Sequence, residues 1–224
     1  MGTSLITVLA FPRTTPSLGI MTRPVRLGET SEENVTQNKP VLYIVACGAR
    51  PAGQSARLVA SAHETGFTAC VVTTPMARRF IDDVDQLQEA TGYRVRSEYK
   101  QPDEEDALPL PDAFLVAPLT FNTLNAWAVG LSPTLALGLL NESLGMRVPI
   151  TAVPWVNAQL AAHPAAVPSL ERLRAAGVTF TSGFAHPSTR IPGPNGQTGT
   201  PVYPWDEIEQ VIGSMYERCS RASR

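Results

Sequence analysis

The sequence contains few of the residues that build metal sites. Its 224 residues include three cysteines and three histidines, and Cys47, Cys70 and Cys219 are far apart in the chain. They match no metal-ligand spacing, and two of them lie in apolar runs. Because an odd number of widely separated cysteines is typical of proteins from a reducing compartment, we expect buried thiols and no metal ion.

The sequence also lacks long apolar runs and an excess of positive charge. No run has the ~18–20 apolar residues that a membrane-spanning helix needs, and the first segment has no basic start and contains Pro12 and Pro16, unlike a secretory signal. The formal charge is -2, and no stretch interleaves Lys or Arg with aromatic residues as a nucleic-acid groove requires. We therefore expect a cytoplasmic protein that binds neither membranes nor nucleic acid.

The composition is that of a globular protein, with 43% apolar and 17% charged residues. The length fits one domain, or one domain with tails, since domains usually contain ~100–200 residues. Residues 22–40 are polar and show neither helical nor strand periodicity. We predict a flexible N-terminal extension over residues 1–38 and a single ordered domain over residues 39–224.

From Val41 onward, short apolar runs alternate with turns and amphipathic stretches, a pattern typical of a parallel sheet with crossover helices. The apolar runs predict buried strands at Val41–Cys47, Thr68–Thr73, Ala113–Ala117, Ile150–Pro154 and Val178–Thr181, with a weaker candidate at Tyr93–Ser97. The sequence thus predicts an α/β domain.

Amphipathic stretches predict the connecting helices. Gln54–Glu64 places its apolar residues on one face and is followed by Gly66, which suits the left-handed residue at a helix end. Further helices are expected at Met76–Ala90, Thr123–Val129, Thr134–Leu144, Pro168–Ala176 and Trp205–Arg218. The Gly- and Pro-rich segment 183–204 is too long for a simple connection, and we predict a mobile flap there.

Ligands of open α/β sheets bind beyond the carboxyl ends of the strands, so the loops after the predicted strands form the candidate site. The first loop, Gly48–Gly53 (GARPAG), contains small residues that let backbone N–H groups and the helix N-terminus face a phosphate. It lacks the glycine spacing of a dinucleotide fingerprint and the lysine of a P-loop, and a tight strand-to-helix turn would have a similar composition. The second loop, Thr73–Pro75 (TTP), offers hydroxyls, which equally suit an ordinary helix N-cap.

Two further loops place an amide directly after an apolar strand. Pro118–Asn125 (PLTFNTLN) contains Asn122, and Pro154–Gln159 (PWVNAQ) contains Asn157. A single asparagine at a strand end is often only a turn former, so neither loop identifies a ligand by itself.

Together, the four loops resemble those of the homo-oligomeric flavin-containing cysteine decarboxylases, which include phosphopantothenoylcysteine decarboxylase and the peptidyl-cysteine decarboxylases of lantibiotic synthesis. The run from Asp112 to Gly130 is similar to the family segment with the Pro-Ala/Leu-Ser-Ala-Asn-Thr motif, and Pro154–Asn157 is similar to its Pro-Ala-Met-Asn motif. The first loop resembles the family's Gly-Ser-Ile-Ala-Ala, and Thr74–Phe80 resembles its second-loop signature. The similarity extends over about Val41 to Val178.

The resemblance implies a flavodoxin-like (Rossmann-like) three-layer α/β sandwich with a parallel sheet, assembled as a homotrimer or a dodecamer. It implies FMN as the cofactor, with Asn157 binding a substrate carboxylate. The residues implied to hold FMN are Gly48, Ala49, Thr74, Asn122 and Thr123.

In that family, the flavin oxidises a C-terminal cysteine side chain to a thioaldehyde, and carbon dioxide then leaves easily because the carbanion is delocalised, giving an enethiol. The base is usually a His before the third-loop strand, but residues 101–109 contain none, and Glu104 is nearest in register. The candidate catalytic residues are therefore Asn122, Glu104 and His163, which follows the Asn157 motif, with His186 as a further possible acid or base. A solvated acidic loop at Glu104 and a helix cap at His163 are the alternatives.

The sequence departs from the family in ways that leave its function open. Besides the missing His, segment 183–204 contains no Cys, which the pantothenate-pathway enzymes use there to reduce an intermediate. The first reading is an FMN-dependent oxidative decarboxylase, a lyase acting on a cysteine-like carboxylate. The second is an FMN-binding regulatory or structural subunit without decarboxylase activity, which the missing His and Cys favour. The third is another flavin-dependent reaction, such as prenyl transfer, which Arg50 matches only in part.

Overall fold

The computed structural model describes residues 39–100, 103, 108–186 and 201–222, and its centre is a parallel sheet. The strands are Val41–Ala46 (β1), Thr68–Thr73 (β2), Ala113–Leu119 (β3), Ile150–Pro154 (β4), Val156–Asn157 (β5), Thr179–Phe180 (β6) and Ala185–His186 (β7). Five of them form the main sheet in the order β2-β1-β3-β4-β6, and β5 pairs with β7 in a separate parallel pair.

Helices cover both faces of this sheet. They are Ser55–Thr65 (α1), Val84–Thr91 (α2), Phe121–Ala128 (α3), Leu135–Met146 (α4), Ala158–Ala161 (α5), Ala166–Ala175 (α6) and Trp205–Ala222 (α7), with two 3-10 turns at Arg50–Gln54 and Ala77–Phe80. In the described ranges, no helix combines the length and the apolar character that crossing a membrane would require.

The two faces of the sheet carry two separate hydrophobic cores. In β1, Tyr43 and Val45 pack with α3 and α4, whereas Leu42 and Ile44 point to the other face and pack with α1 and α7. Each fully buried Leu or Ile side chain stabilises the fold by roughly 1.5–3 kcal/mol. This alternation, with both faces buried, makes a three-layer sandwich, and the predicted flavodoxin-like α/β fold with a parallel sheet is confirmed.

Local signals explain where several helices begin and end. As predicted, α1 ends at Gly66, whose φ of 113° is left-handed and whose N–H donates to the carbonyls of Ala62 and His63. Asp83 caps α2 by accepting a hydrogen bond from the Gln86 N–H at 2.8 Å. This cap also corrects the predicted continuous helix over Met76–Ala90, because Asp83 is extended and separates the 3-10 turn at Ala77–Phe80 from α2.

The prediction of a weaker strand at Tyr93–Ser97 was wrong. The segment is reduced to a single bridge, in which the Arg96 N–H donates to Val71 O at 3.2 Å and Arg96 O accepts from the Thr73 N–H at 2.7 Å. Val95 is buried against the core beyond β2 while its neighbours are more exposed, which gives this segment the burial pattern of a strand without its pairing.

The three cysteines are buried free thiols, as predicted. The predicted extension at residues 1–38, most of the predicted flap and Glu104 lie outside the described residues, so these three expectations stay predictions. At the described flanks of the flap segment, the Glu207 carboxylate accepts hydrogen bonds from the N–H and Oγ of Ser182, at 2.6 and 2.9 Å. This contact fixes the end of β6 to the start of α7.

Candidate functional site

A cleft of about 1250 Å³ lies at the carboxyl edge of the main sheet, bordered by the loops that follow β1, β2, β3 and β4. The chain leaves β1 for β2 on one side and returns to β3 on the other, so the cleft lies at the point where the strand order reverses. Doubly wound sheets bind their ligands at such a switch point. Because ligand pockets usually measure ~300–1,000 Å³, this cleft has room for a cofactor and a second molecule.

The first and second loops approach each other too closely for a side chain at Gly48. A Cβ at this position would lie 2.7 Å from the Met76 Cβ and 3.2 Å from the Met76 carbonyl carbon. The same holds at Gly53, where a Cβ would lie 2.5 Å from the carbonyl oxygen of Phe80. The two glycines of the first loop are therefore required by loop packing, and the loop lines the cleft at Gly48 and Ala49.

Thr74 presents a buried hydroxyl at the cleft wall. The residue is 8% exposed, and its Oγ1 has no hydrogen-bond partner among the described residues. An unsatisfied buried polar group costs about 1–3 kcal/mol. The Thr74 backbone is held in place because its N–H donates to Ala46 O at 3.0 Å. A ligand acceptor in the cleft would remove the cost, so Thr74 fits the phosphate-binding role implied by the sequence.

The third loop places the N-terminus of α3 at the cleft. Thr120 is the extended N-cap residue, and the Leu124 N–H is bonded to Thr120 O at 2.9 Å. The N–H groups before Leu124 have no acceptor within the helix and form its positive end, which favours anions. Asn122 and Thr123 both line the cleft, with Asn122 exposed and Thr123 buried. The structure thus brings together the five residues predicted to hold the cofactor.

A neutral thiol lies beneath this helix end. Burial raises the pKa of Cys47 to about 11, although hydrogen bonds to Thr123 and to the Thr120 backbone lower it in part. The thiol therefore stays protonated near neutral pH, so no thiolate charge opposes an anion bound at the α3 N-terminus.

Asn157 lines the cleft from the loop after β4 and caps α5. Its Oδ1 accepts a hydrogen bond from the Leu160 N–H at 2.9 Å. Its backbone pairs with His186 across β5 and β7. The capping role that asparagine often has at strand ends is therefore present, and the amide nitrogen remains the group suited to donate to a carboxylate.

His163 is not among the residues that line the cleft. Its ring contacts Phe121 at a centroid distance of 5.4 Å, and its Nδ1 accepts from the Ala165 N–H at 3.0 Å. Phe121 does line the cleft, so His163 is one side chain removed from it. The bonded N–H belongs to Ala165, the N-cap residue of α6, and α6 has no side-chain cap, so the helix-cap and catalytic roles of His163 both stay predictions.

Sequence reasoning missed an aromatic wall on the cleft, formed by Trp155, Tyr203 and Trp205. The Tyr203 ring is 5.1 Å from each tryptophan ring, and both contacts are edge-to-face. The run Tyr203-Pro204-Trp205, at the end of the Gly- and Pro-rich segment 183–204, was the available signal. Its link to Trp155, almost 50 residues earlier, is visible only in the fold.

Fold and site together define an α/β protein with a ligand-sized cleft at the switch point of its sheet. Residues 29–215 match the model of the flavoprotein family, and the chain belongs to that family. No curated protein gives a significant match.

Three solved structures show the same fold. The FMN-dependent cysteine decarboxylase TvaF from thioviridamide biosynthesis has 19% identity and a TM-score of 0.62, over 80% of this chain and 98% of that one. The FMN-dependent cysteine decarboxylase SpaF has 18% identity and a TM-score of 0.60, over 82% and 98%. A PPC decarboxylase mutant complexed with pantothenoylaminoethenethiol has 21% identity and a TM-score of 0.58, over 80% and 99%.

The family match and these neighbours confirm the resemblance predicted from the four loops. The predicted FMN cofactor is confirmed at the level of the family, since the chain belongs to a flavoprotein family and structures sharing its fold are described as FMN-dependent. Among the residues that the structure describes, no group of three or more potential ligands could hold a metal ion.

Asn122→Asp is expected to weaken FMN binding roughly tenfold while leaving the apoprotein as stable as before. The change replaces an amide donor at the cleft with an anion that only accepts, but a carboxylate in the first turn of α3 suits the helix dipole. Titration of apoprotein with FMN measures the first effect, and thermal unfolding measures the second. Gln86→Glu, an amide-to-carboxylate change at an exposed residue in the first turn of α2, away from the cleft, serves as control; equal FMN affinity in both variants would remove Asn122 from the site.

Proposed function

We propose that this protein is an FMN-dependent enzyme that decarboxylates a cysteine-like carboxylate substrate oxidatively, such as the C-terminal cysteine of a peptide. The observation that carries the proposal is a single cleft lined by two kinds of binding group. Thr74, after β2, and the α3 N-terminus suit a phosphate, and the amide of Asn157, after β4, suits a carboxylate. The cleft volume of about 1250 Å³ accommodates both molecules.

The bound flavin would supply the oxidising power, by accepting two electrons from the substrate. The protein's own residues would do the positioning. The α3 N-terminus and Thr74 would hold the phosphate, and Asn122 would contact the cofactor. Asn157 would orient the substrate carboxylate through a neutral amide. Without an ion pair to a cation, the carboxylate would leave more easily as carbon dioxide. The tight contact of the first and second loops at Gly48 keeps the cofactor end of the cleft rigid.

The proposal is tested by mixing the purified yellow protein with a short peptide ending in cysteine, without oxygen. Bleaching of the flavin absorbance, together with a peptide product lighter by carbon dioxide and two hydrogen atoms, is the expected result. The same peptide ending in serine is the matched control, because its carboxylate binds in the same way but it lacks the thiol to be oxidised. If several cysteine-terminated peptides fail to bleach the flavin, the proposed decarboxylase activity is wrong.

A second function, an FMN-binding subunit without turnover, is favoured by a specific observation. The described residues lining the cleft include no His, Asp, Glu or Lys, so a general base is missing from this part of the wall. Glu104 would have to supply it from outside the described residues. An inert yellow protein that forms a stable complex with another protein would support this alternative.

We also expect the protein to form a homo-oligomer, a trimer or a trimer-built dodecamer. Val129 and Leu131, just after α3, and Met146, at the end of α4, are each more than half exposed and apolar. Exposed apolar surface of this kind is typical of subunit contacts. Light scattering measures the mass in solution, and a monomer would contradict the expectation.

A further inference from the structure

Tyr203 carries a hydroxyl that is buried at the cleft wall without a partner. The residue is 8% exposed, it lines the cleft, and its hydroxyl makes no hydrogen bond to any described residue. Buried tyrosine hydroxyls are usually bonded, because leaving one unpaired costs free energy. A group of this kind at a ligand site points to a hydrogen bond that is completed by the ligand.

The side chain is held where it is by its neighbours. Trp155 and Trp205 pack edge-to-face on the Tyr203 ring, each at a centroid distance of 5.1 Å. Trp205 is fixed in turn by the Arg57 guanidinium, which lies 4.1 Å from its ring centroid and pairs with Glu209 at 2.8 Å. The hydroxyl therefore has a set position that a ligand would meet without rearrangement.

Packing alone does not account for the hydroxyl. A phenylalanine ring would make the same edge-to-face contacts with both tryptophans and would bury no unpaired oxygen. The apoprotein therefore bears a cost at this position that Phe would avoid, and the cost disappears if a ligand oxygen or nitrogen accepts from Tyr203.

The electrostatic surroundings keep the group a donor. Burial raises the pKa of Tyr203 far above its usual value, and the neighbouring Cys47 raises it further. The phenol is therefore protonated throughout the physiological range and can donate. Tyr203 also lines the same cleft as Gly48, Ala49 and Thr74, which are residues predicted to hold FMN.

We propose that the Tyr203 hydroxyl donates a hydrogen bond to FMN bound in the cleft and that this bond is a determinant of cofactor affinity. The inference rests on FMN occupying this cleft, as proposed above. It adds to the cofactor site a residue that is distant in sequence from the loops after β1, β2 and β3. The acceptor is an oxygen or nitrogen of the flavin nucleotide, either on its phosphate or on its riboflavin part.

The test compares Tyr203→Phe with Tyr43→Phe in the full-length apoprotein. Tyr43 is also buried, but its hydroxyl donates to Pro109 O at 2.8 Å and does not line the cleft. For Tyr203→Phe we expect an FMN dissociation constant raised roughly three- to thirtyfold and an apoprotein with an unchanged or higher melting temperature. For Tyr43→Phe we expect the reverse, unchanged FMN affinity and a lower melting temperature.

Riboflavin, which lacks the phosphate, identifies the acceptor. Weakened FMN binding with unchanged riboflavin binding supports a bond to the phosphate, and equal weakening of both supports a bond to the riboflavin part. Tyr203→Phe with FMN affinity within twofold of the wild type would overturn the inference, as would a lower apoprotein melting temperature with unchanged affinity. If the wild-type protein itself failed to bind FMN, the cofactor assignment would fall first, and the two failures are thereby distinguished.

Discussion

Asn157→Asp is expected to lower turnover of a cysteine-terminated peptide roughly a hundredfold while FMN remains bound. The carboxylate would remove the amide donor and place a negative charge against the substrate carboxylate. The variant isolates this effect, because an aspartate can still accept the Leu160 N–H that Asn157 accepts at 2.9 Å and so can still cap α5. Steady-state rates and the visible absorption spectrum of the holoprotein measure the two outcomes.

Asn157→Ser is the matched control for charge. Serine also caps helix N-termini but carries no charge, so it should lose the amide contact without adding repulsion and should show a smaller fall in turnover than aspartate. If a higher peptide concentration restores the turnover of the Asn157→Asp variant, the substitution weakens substrate binding. Wild-type rates in both variants would show that Asn157 does not bind the substrate and serves only as the α5 cap.

Gly53→Ala is expected to lower the free energy of unfolding by about 1–3 kcal/mol and to weaken FMN binding. The new Cβ would lie 2.5 Å from the carbonyl oxygen of Phe80, so either the first loop or the 3-10 turn at Ala77–Phe80 must move. Both segments adjoin the cofactor end of the cleft. Urea unfolding and FMN titration of the same preparation measure the two effects.

The same substitution at Gly145 should change the free energy of unfolding in the opposite direction. Gly145 lies within α4, and nothing lies within 4 Å of an added Cβ. Alanine favours a helix over glycine by up to about 1 kcal/mol, so Gly145→Ala should stabilise the protein and leave FMN affinity unchanged. Destabilisation by both alanines would mean that the Gly53 effect does not arise from the contact with Phe80.

Much of the fold could be predicted because the signals are local. The apolar run Val41–Cys47 is buried on both faces, and this identified β1, whose observed end is Ala46. Gly66 identified the end of α1 by its backbone freedom. The error at Tyr93–Ser97 has the same origin: an alternating pattern reports burial of Val95 but cannot report whether a partner strand continues beyond Arg96.

The cofactor end of the site was also within reach of the sequence, since its residues follow strands and parallel strands end at the same edge. That rule predicted that the loops of Gly48, Thr74 and Asn122 lie together, and all three residues line the cleft. It could not show that Thr74 Oγ1 lacks a partner, that Gly48 is required by contact with Met76, or that His163 lies outside the cleft lining. Each of these facts depends on distances between residues that are far apart in the chain.

By itself, therefore, the sequence determined the α/β class, the main strands, the loops of the site and the flavoprotein resemblance, because each depends on periodicity or on a short motif. Only the tertiary structure decided which polar groups are left unpaired at the cleft, and that Tyr203, held between Trp155 and Trp205, is one of them. Whether a hydroxyl finds a partner depends on packing between distant segments, which no local pattern records.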